Sequence, residues 1–173
     1  MSRVEMKLSH TRLLLALLGL LMFGFLANTH ADSRNWSLVD TEGQTFSYDK
    51  VKADAPTMLV FWATWCAPCK KELSENQKLF DSFADQGLRV LLVAEDNAKT
   101  QAKVKPYVSA KGFKWQVLLD TDGEVLKRYG GTSLPYSVLL DKTGKAVRQF
   151  RGEIRDKSAL TTQVNALLGG NGE

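Results

Sequence analysis

Two runs of strand-forming apolar residues, 57–62 and 88–94, constrain the fold of this chain more than any other feature. Each run is too short for a buried helix, and its β-branched and aromatic members are typical of a strand covered on both faces. Between them, residues 67–85 repeat apolar side chains at helical spacing and are followed closely by Gly87, a common signal for the end of a helix. This order predicts an α/β fold, in which helices cover both faces of a central mixed sheet.

Shorter elements are predicted on both sides of this centre. Residues 36–39 and 45–48 predict an N-terminal β-hairpin, and residues 136–140 and 146–151 predict a second hairpin. The remaining expectations are helices at 100–110, 124–129 and 156–168 and a strand at 115–119. Pro106 is expected to kink or restart the first of these helices. A chain of 173 residues suits one ordinary domain, which we assign to residues 32–173.

The first 31 residues have the pattern of an export signal. Basic residues precede an uncharged apolar run at 13–27, and the small residues Thr29 and Ala31 follow it. The run is shorter than the roughly 20 residues that cross a bilayer as a helix. Cleavage before Asp32 is therefore favoured, with an uncleaved membrane anchor as the alternative. Both place the domain in a disulfide-permissive compartment, the periplasm or the outer face of the cytoplasmic membrane.

The rarest residue types exclude several kinds of site. Both histidines, His10 and His30, fall within the predicted signal, which leaves Cys66 and Cys69 as the notable reactive residues of the domain. A Ser/His/Asp triad, a Cys/His pair and a histidine-liganded metal site are thereby excluded. No metal and no cofactor is expected.

The charge of the chain gives little support for nucleic-acid binding. The formal net charge is only +4, so nucleic acid is not an expected partner. The one basic cluster is interpreted as a solvated helix face, with a docking patch as the alternative. Its members are Lys99, Lys103, Lys105, Lys111 and Lys114.

The motif Cys66-Ala67-Pro68-Cys69 comes between a predicted buried strand and a predicted helix. Half of a zinc site is one interpretation, but zinc needs four ligands and the domain has no further cysteine or histidine. A purely structural disulfide is another, but a bridge across two residues closes a very small loop and stabilises little. A redox-active pair is the favoured interpretation, and a copper-binding thiol module is an alternative.

Position along the helix predicts different roles for the two cysteines. Cys66 lies at the helix N-terminus, where unpaired amides and the helix dipole favour a thiolate. Pro68 suits the first helical turn because its missing N–H has no partner to lose there. Cys69, one turn further on, is expected to be more buried. We therefore expect Cys66 to attack a disulfide and Cys69 to resolve the mixed disulfide.

The sequence FWATWCAPCKKE, followed much later by Leu134-Pro135 and a hairpin, resembles the thioredoxin superfamily and, more narrowly, the exported TlpA/ResA-like thiol–disulfide oxidoreductases. The resemblance implies a thioredoxin fold with an additional N-terminal β-hairpin and an inserted helix–strand unit, which corresponds to residues 100–119. It also implies that Pro135 is cis and that the Leu134-Pro135 backbone lies beside Cys66 and pairs with an extended client segment. Leu134 departs from the threonine common at that position, which bears on the choice of client.

Glu72 and Trp65 gain meaning from the same resemblance. Glu72 lies three residues beyond Cys69, on the same helix face, and its carboxylate could accept the Cys69 proton during resolution. The alternative is a solvated helix glutamate. Trp65 resembles the family's active-site tryptophan at the client surface, whereas Trp62 is interpreted as core packing. The predicted client-binding residues are Trp65, Ala67, Pro68, Leu134 and Pro135.

The resemblance implies an enzyme that reduces disulfides in exported client proteins, with apocytochrome c and copper-site assembly proteins as expected clients. A membrane thiol donor is expected to supply the electrons, and the enzyme is expected to be a monomer. Strong oxidants have a histidine between the two cysteines of the motif, which further stabilises the thiolate. Because no histidine lies between Cys66 and Cys69, a reductant is favoured. A disulfide oxidase is the alternative.

Overall fold

The computed structural model describes residues 35–169, and the predicted signal or anchor at 1–31 lies outside them. The strands are β1 (Ser37–Asp40), β2 (Thr45–Ser47), β3 (Thr57–Trp62), β4 (Arg89–Ala94), β5 (Gln116–Leu119), β6 (Tyr136–Leu140) and β7 (Ala146–Arg151). The helices are α1 (Tyr48–Val51), α2 (Ala67–Asp85), α3 (Val104–Lys111), α4 (Glu124–Arg128) and α5 (Lys157–Gly169). A 3₁₀ turn, Gln101–Lys103, precedes α3. Within residues 35–169, no helix combines the length and apolarity needed to cross a membrane.

The seven strands form one mixed sheet in the order β2-β1-β5-β4-β3-β6-β7. Strand β4 pairs in parallel with β3 and β5, and the other neighbours are antiparallel. This confirms the predicted central mixed sheet. It also places β5, from the predicted insertion, between the N-terminal hairpin and β4.

Strand β3 is buried along its whole length because each face of the sheet has its own core. Met58, Val60 and Trp62 belong to one core, whereas Leu59 and Phe61 belong to the other, as the alternation of side chains along a strand requires. This double burial is the reason for the uninterrupted apolar run at 57–62. The interpretation of Trp62 as a core residue is confirmed.

Two local elements differ from the expectations. The predicted helix at 100–110 begins as a 3₁₀ turn and becomes α-helical at Val104. Pro106 is then the third residue of α3, where its missing N–H would have had no partner within the helix. Tyr48, expected at the end of a strand, instead begins the unpredicted helix α1, and its fully buried ring stacks on Trp36 at 5.0 Å.

Candidate active site at the start of helix α2

Cys66 and Cys69 are joined by a disulfide where the chain leaves β3 and enters α2. Cys66 is the N-cap of the helix, and its Sγ accepts a hydrogen bond from the backbone N–H of Cys69 at 3.3 Å. Pro68 lies in the first turn. One sulfur is therefore at the positive end of the helix dipole and near an unpaired amide, the environment that stabilises a thiolate.

Both cysteines of the disulfide are buried, Cys66 slightly less so than Cys69. Cys66 is 5% exposed and Cys69 is 0% exposed, so the difference has the predicted direction although it is small. Ala67 and Pro68 are exposed, and Trp65 is 61% exposed. These three residues give the disulfide an accessible, largely apolar border.

The loop before β6 has the cis peptide bond that the resemblance implied, between Leu134 and Pro135. Leu134 is partly buried against the core cluster that includes both cysteines. The Pro135 carbonyl accepts a hydrogen bond from Gly152 N–H at 3.0 Å. Within residues 35–169, the Leu134 N–H and C=O form no backbone hydrogen bond, so both groups are available to pair with another chain.

Glu72 is buried, one helical turn beyond Cys69 on α2. Its side chain is 3% exposed, and Oε1 accepts a hydrogen bond from Ile154 N–H at 2.7 Å. Burial raises the pKa of Glu72 to about 7; the Ile154 hydrogen bond opposes this shift, and the neighbouring Glu153 adds to it. The solvated-face interpretation of Glu72 is therefore wrong. Its carboxyl group can exchange a proton near neutral pH.

Asp96, which the sequence analysis did not single out, follows β4 and binds the loop that leads to Cys66. Its Oδ2 accepts from Thr64 N–H at 2.8 Å, and its Oδ1 accepts from the Thr64 hydroxyl at 2.6 Å. A carboxylate directly after a buried parallel strand was the available signal, because such strands end at the edge of the sheet where binding sites form.

Glu95, which is half-buried, and Asp120, which is buried, form a carboxyl pair where the neighbouring strands β4 and β5 end. Burial and the adjacent Asp120 charge raise the pKa of Glu95 to about 9. Burial also raises the pKa of Asp120, although Asp120 Oδ2 accepts from Leu126 N–H at 2.9 Å. The raised pKa favours the protonated form of Glu95 at neutral pH. In the described part of the chain, no group of three Cys, His, Asp or Glu residues is arranged to hold a metal ion.

The five lysines of the basic cluster are all exposed. Lys105 forms an ion pair with Glu42 of the β1–β2 turn at 2.6 Å. Lys111 lies 6.0 Å from the ring centre of Tyr107, and Lys70 of α2 lies 5.9 Å from the same ring. Two lysines, one from α2 and one from α3, thus lie beside the same ring.

Comparison with known proteins supports the same chemistry. The AhpC/TSA family matches residues 30–149. The thiol-disulfide oxidoreductase ResA of Bacillus thuringiensis subsp. konkukian is 34% identical over 122 residues, which span 70% of this chain and 69% of that protein. ResA of Bacillus subtilis is 33% identical over 105 residues, 61% of this chain and 57% of that protein.

Solved structures agree with the fold. A thiol:disulfide interchange protein of the thioredoxin family from Chlorobium tepidum superposes with a TM-score of 0.64 at 26% identity, covering 79% of this chain and 94% of that one. A thioredoxin-like protein from Porphyromonas gingivalis gives a TM-score of 0.67 at 29% identity, covering 79% and 92%. The predicted thioredoxin fold is confirmed. Together with the disulfide at the start of α2, these similarities show that the chain belongs to the AhpC/TSA family of thioredoxin-like proteins and is a thiol–disulfide oxidoreductase.

Proposed function

We propose that this protein is exported and reduces the disulfides of client proteins, with Cys66 as nucleophile, Cys69 as resolving thiol and Glu72 as proton acceptor. The observation that carries the proposal is the combination of a disulfide at the N-terminus of α2 with a buried carboxyl group one turn further on. The resemblance to TlpA/ResA-like proteins supports clients in cytochrome c maturation or copper-site assembly.

The first step forms a mixed disulfide. In the reduced enzyme, the Cys66 thiolate attacks one sulfur of the client disulfide, and the other client sulfur leaves as a thiolate and takes up a proton. The N-cap position supports this role, because the helix dipole and the Cys69 N–H favour negative charge on Cys66 Sγ. The slightly greater exposure of Cys66 supports attack by this sulfur and not by Cys69.

The second step releases the client. Cys69 transfers its thiol proton to Glu72 and attacks Cys66 Sγ, so the remaining client sulfur leaves as a thiolate. The enzyme is left with the Cys66–Cys69 disulfide, and the client has gained two electrons. The pKa of Glu72 near 7 suits this transfer, since a group with that value can accept a proton and later return it. A dithiol donor, which we place at the membrane, then reduces the enzyme again.

Client binding is assigned to the surface around Cys66. The free Leu134 N–H and C=O support pairing with an extended client segment, as in strand addition. Trp65, Ala67 and Pro68 are exposed beside the disulfide and supply apolar contact. Residues 1–31 are proposed as a cleaved export signal or, as the alternative, a membrane tether.

The proposal is tested by trapping the client. In a Cys69→Ser variant the mixed disulfide on Cys66 cannot be resolved, so we expect a covalent complex that mass spectrometry identifies. A Cys66→Ala variant is the matched control and should trap nothing. Equal trapping by both variants, or catalysis retained by Cys66→Ala, would contradict the assigned roles.

The direction of electron flow is tested separately by the reduction potential. A reductant should have a potential more negative than about −180 mV, the value typical of protein disulfide isomerase. A value near −120 mV, typical of a strong periplasmic oxidant, would favour the oxidase alternative. Tight copper binding without turnover would favour a thiol carrier instead.

A further inference from the structure

We infer that Asp96 is a positioning residue that holds the β3–α2 loop, through Thr64, in the conformation that places Cys66 at the N-cap of α2. This inference rests on the proposed role of Cys66 as nucleophile. It adds a residue that lies 30 positions away from Cys66 in the sequence and follows a different strand, β4.

The contact is a two-point clamp on a single loop residue. Thr64 lies between Trp62, the last residue of β3, and Cys66. Asp96 accepts hydrogen bonds from both donors of Thr64, the backbone N–H at 2.8 Å and the side-chain hydroxyl at 2.6 Å. Hydrogen bonds to a charged acceptor are stronger than neutral ones, so the clamp restrains both the backbone and the side chain of Thr64.

The burial of Asp96 indicates that this contact is the reason for its presence. The side chain is 0% exposed, and within residues 35–169 it forms no ion pair. A buried carboxylate without a cation is costly unless its oxygens are hydrogen-bonded, and Thr64 supplies one donor to each oxygen. An apolar residue at this position would avoid the cost but would leave the two Thr64 donors unpaired.

The other contacts of this loop hold its two ends, where Ala63 and Cys66 are packed in the core. Glu95 N–H donates to the Trp62 carbonyl at 2.8 Å, which extends the pairing of β3 and β4 to the point where the loop begins. Cys66 N–H donates to the Ala63 carbonyl at 3.1 Å within the loop itself. Trp65 is largely exposed and adds little packing. Among residues 35–169, Asp96 therefore provides the long-range side-chain hydrogen bonds of Thr64.

The position of Cys66 matters because the stabilisation of its thiolate is local. The effect of the helix dipole falls off within the first turn, and the hydrogen bond from Cys69 N–H requires Cys66 Sγ to stay at the cap. Release of the loop would move the sulfur away from both. The thiol pKa of Cys66 should then rise and its reaction with electrophiles at neutral pH should slow.

The test compares variants of the clamp in the reduced, full-length protein. Asp96→Ala removes both acceptors and Thr64→Val removes the hydroxyl donor. Asp96→Asn and Thr64→Ser are conservative variants that retain two hydrogen bonds. The matched control is Asp141→Ala, because Asp141 accepts from Thr143 N–H at 2.8 Å and from its hydroxyl at 2.7 Å in the β6–β7 turn. Leu140 at that turn pairs with Thr57, at the opposite end of β3 from the disulfide.

The readout is the rate of Cys66 alkylation by iodoacetamide between pH 5 and 10, resolved by mass spectrometry, with the free energy of unfolding measured in parallel. We expect Asp96→Ala and Thr64→Val to slow alkylation at pH 7 about tenfold, as a modest misplacement of a reacting group would, and to shift the pH profile upward. The alkylation rate at pH 7 should stay within about twofold of the wild-type rate in the three variants that keep the reacting group in place. These variants are Asp96→Asn, Thr64→Ser and Asp141→Ala.

Wild-type rate and pH profile in Asp96→Ala would overturn the inference, as would an equal loss in Asp141→Ala. Faster alkylation in both Asp96→Ala and Asp96→Asn would also overturn it, since the charge and not the clamp would then control Cys66. The proposed function fails in a different way. If Cys66 of the wild type already reacts like an ordinary thiol, its assigned role is wrong before any variant is compared.

Discussion

Glu72 shows how strongly burial changes what a single residue can do. From the sequence it is a glutamate on a helix that also carries lysines, and a solvated position is a reasonable expectation. In the structure its carboxyl group is covered by the segment before α5, where Ile154 N–H binds it. Burial penalises the ionised form, so the group titrates near neutral pH instead of well below it.

Replacing Glu72 by glutamine should slow resolution of the mixed disulfide about a hundredfold, the scale of general acid–base catalysis, because the Cys69 proton loses its acceptor. Attack by Cys66 should be little changed. Rapid-quench measurement of the two steps with a model disulfide distinguishes them. Glu75→Gln, at an exposed position of the same helix, is the control, and equal resolution rates in the two variants would remove Glu72 from the mechanism.

The same substitution should alter the pH dependence of stability. The folded-state pKa of Glu72 is about 7 and the model-peptide value is 4.5, so the folded state retains a proton that the unfolded state releases. Its contribution is complete below about pH 4.5 and is lost as the pH rises through about 7. We expect Glu72→Gln to remove most of this loss of stability, which is on the order of 3 kcal/mol in the wild type. Urea unfolding at pH 5 and pH 8 measures the difference in the free energy of unfolding between the two pH values. An equal difference in the wild type and the variant would contradict the expectation.

At the scale of elements, the connection from α4 to β6 positions the Leu134-Pro135 loop by close packing. Gly131 N–H donates to the Leu126 carbonyl at 3.0 Å. A Cβ at Gly131 would lie 2.8 Å from Leu126 Cγ and 2.9 Å from the ring of Tyr136. Tyr136 is buried and begins β6 directly after Pro135. Glycine is therefore required here by space and not by backbone conformation.

Gly131→Ala should destabilise the protein by about 1–3 kcal/mol, the usual cost of overpacking a filled site. It should also reduce client turnover, because relief of the clash shifts Tyr136 and the adjacent loop. Gly169→Ala is the control, since no atom lies within 4 Å of its added Cβ. Denaturant unfolding compares the two, and an equally small effect of both substitutions would show that the connection can adjust freely.

At the scale of the whole molecule, the carboxyl ends of β3, β4 and β5 lie along one edge of the sheet, because these strands are parallel neighbours. The β3–α2 loop, Asp96 and the Glu95–Asp120 pair all follow these strand ends. Glu95 and Asp120, whose pKa values are raised, therefore lie at the same edge of the sheet as the β3–α2 loop, and Glu72, also with a raised pKa, lies on the helix that this loop enters. Each of them favours the protonated folded state.

The stability of the whole domain should therefore fall between about pH 5 and pH 9. Glu95, whose folded-state pKa is about 9, should account for the upper part of this fall, since its unfolded form ionises near pH 4.5. Glu95→Gln retains an uncharged side chain and should flatten the curve between pH 7 and pH 9. The measurement is the midpoint of thermal unfolding as a function of pH across this range. If the midpoint falls with pH as steeply in the variant as in the wild type, Glu95 ionises normally in the folded state.

Most of the fold follows from local patterns in the sequence. The runs at 57–62, 136–140 and 146–151 and the helix at 67–85 have the bounds that their apolar spacing and turn residues predict. The short helix at Tyr48 has no clear local signal in the sequence, and its first residue stacks on Trp36, which lies before β1. The 3₁₀ start of α3 was missed because local propensity does not distinguish it from an α-helical turn.

What the sequence determined by itself was the chemistry. Two cysteines separated by Ala67-Pro68 at the start of a helix have their reactivity set by local backbone, which neighbouring residues encode. What only the tertiary structure decided was the protonation and orientation of the groups around them. The pKa of Glu72 depends on a segment 82 residues away, and the Thr64 loop is bound by a carboxylate from the segment that follows β4. Burial and long-range hydrogen bonds arise when distant segments pack together, so no local pattern specifies them.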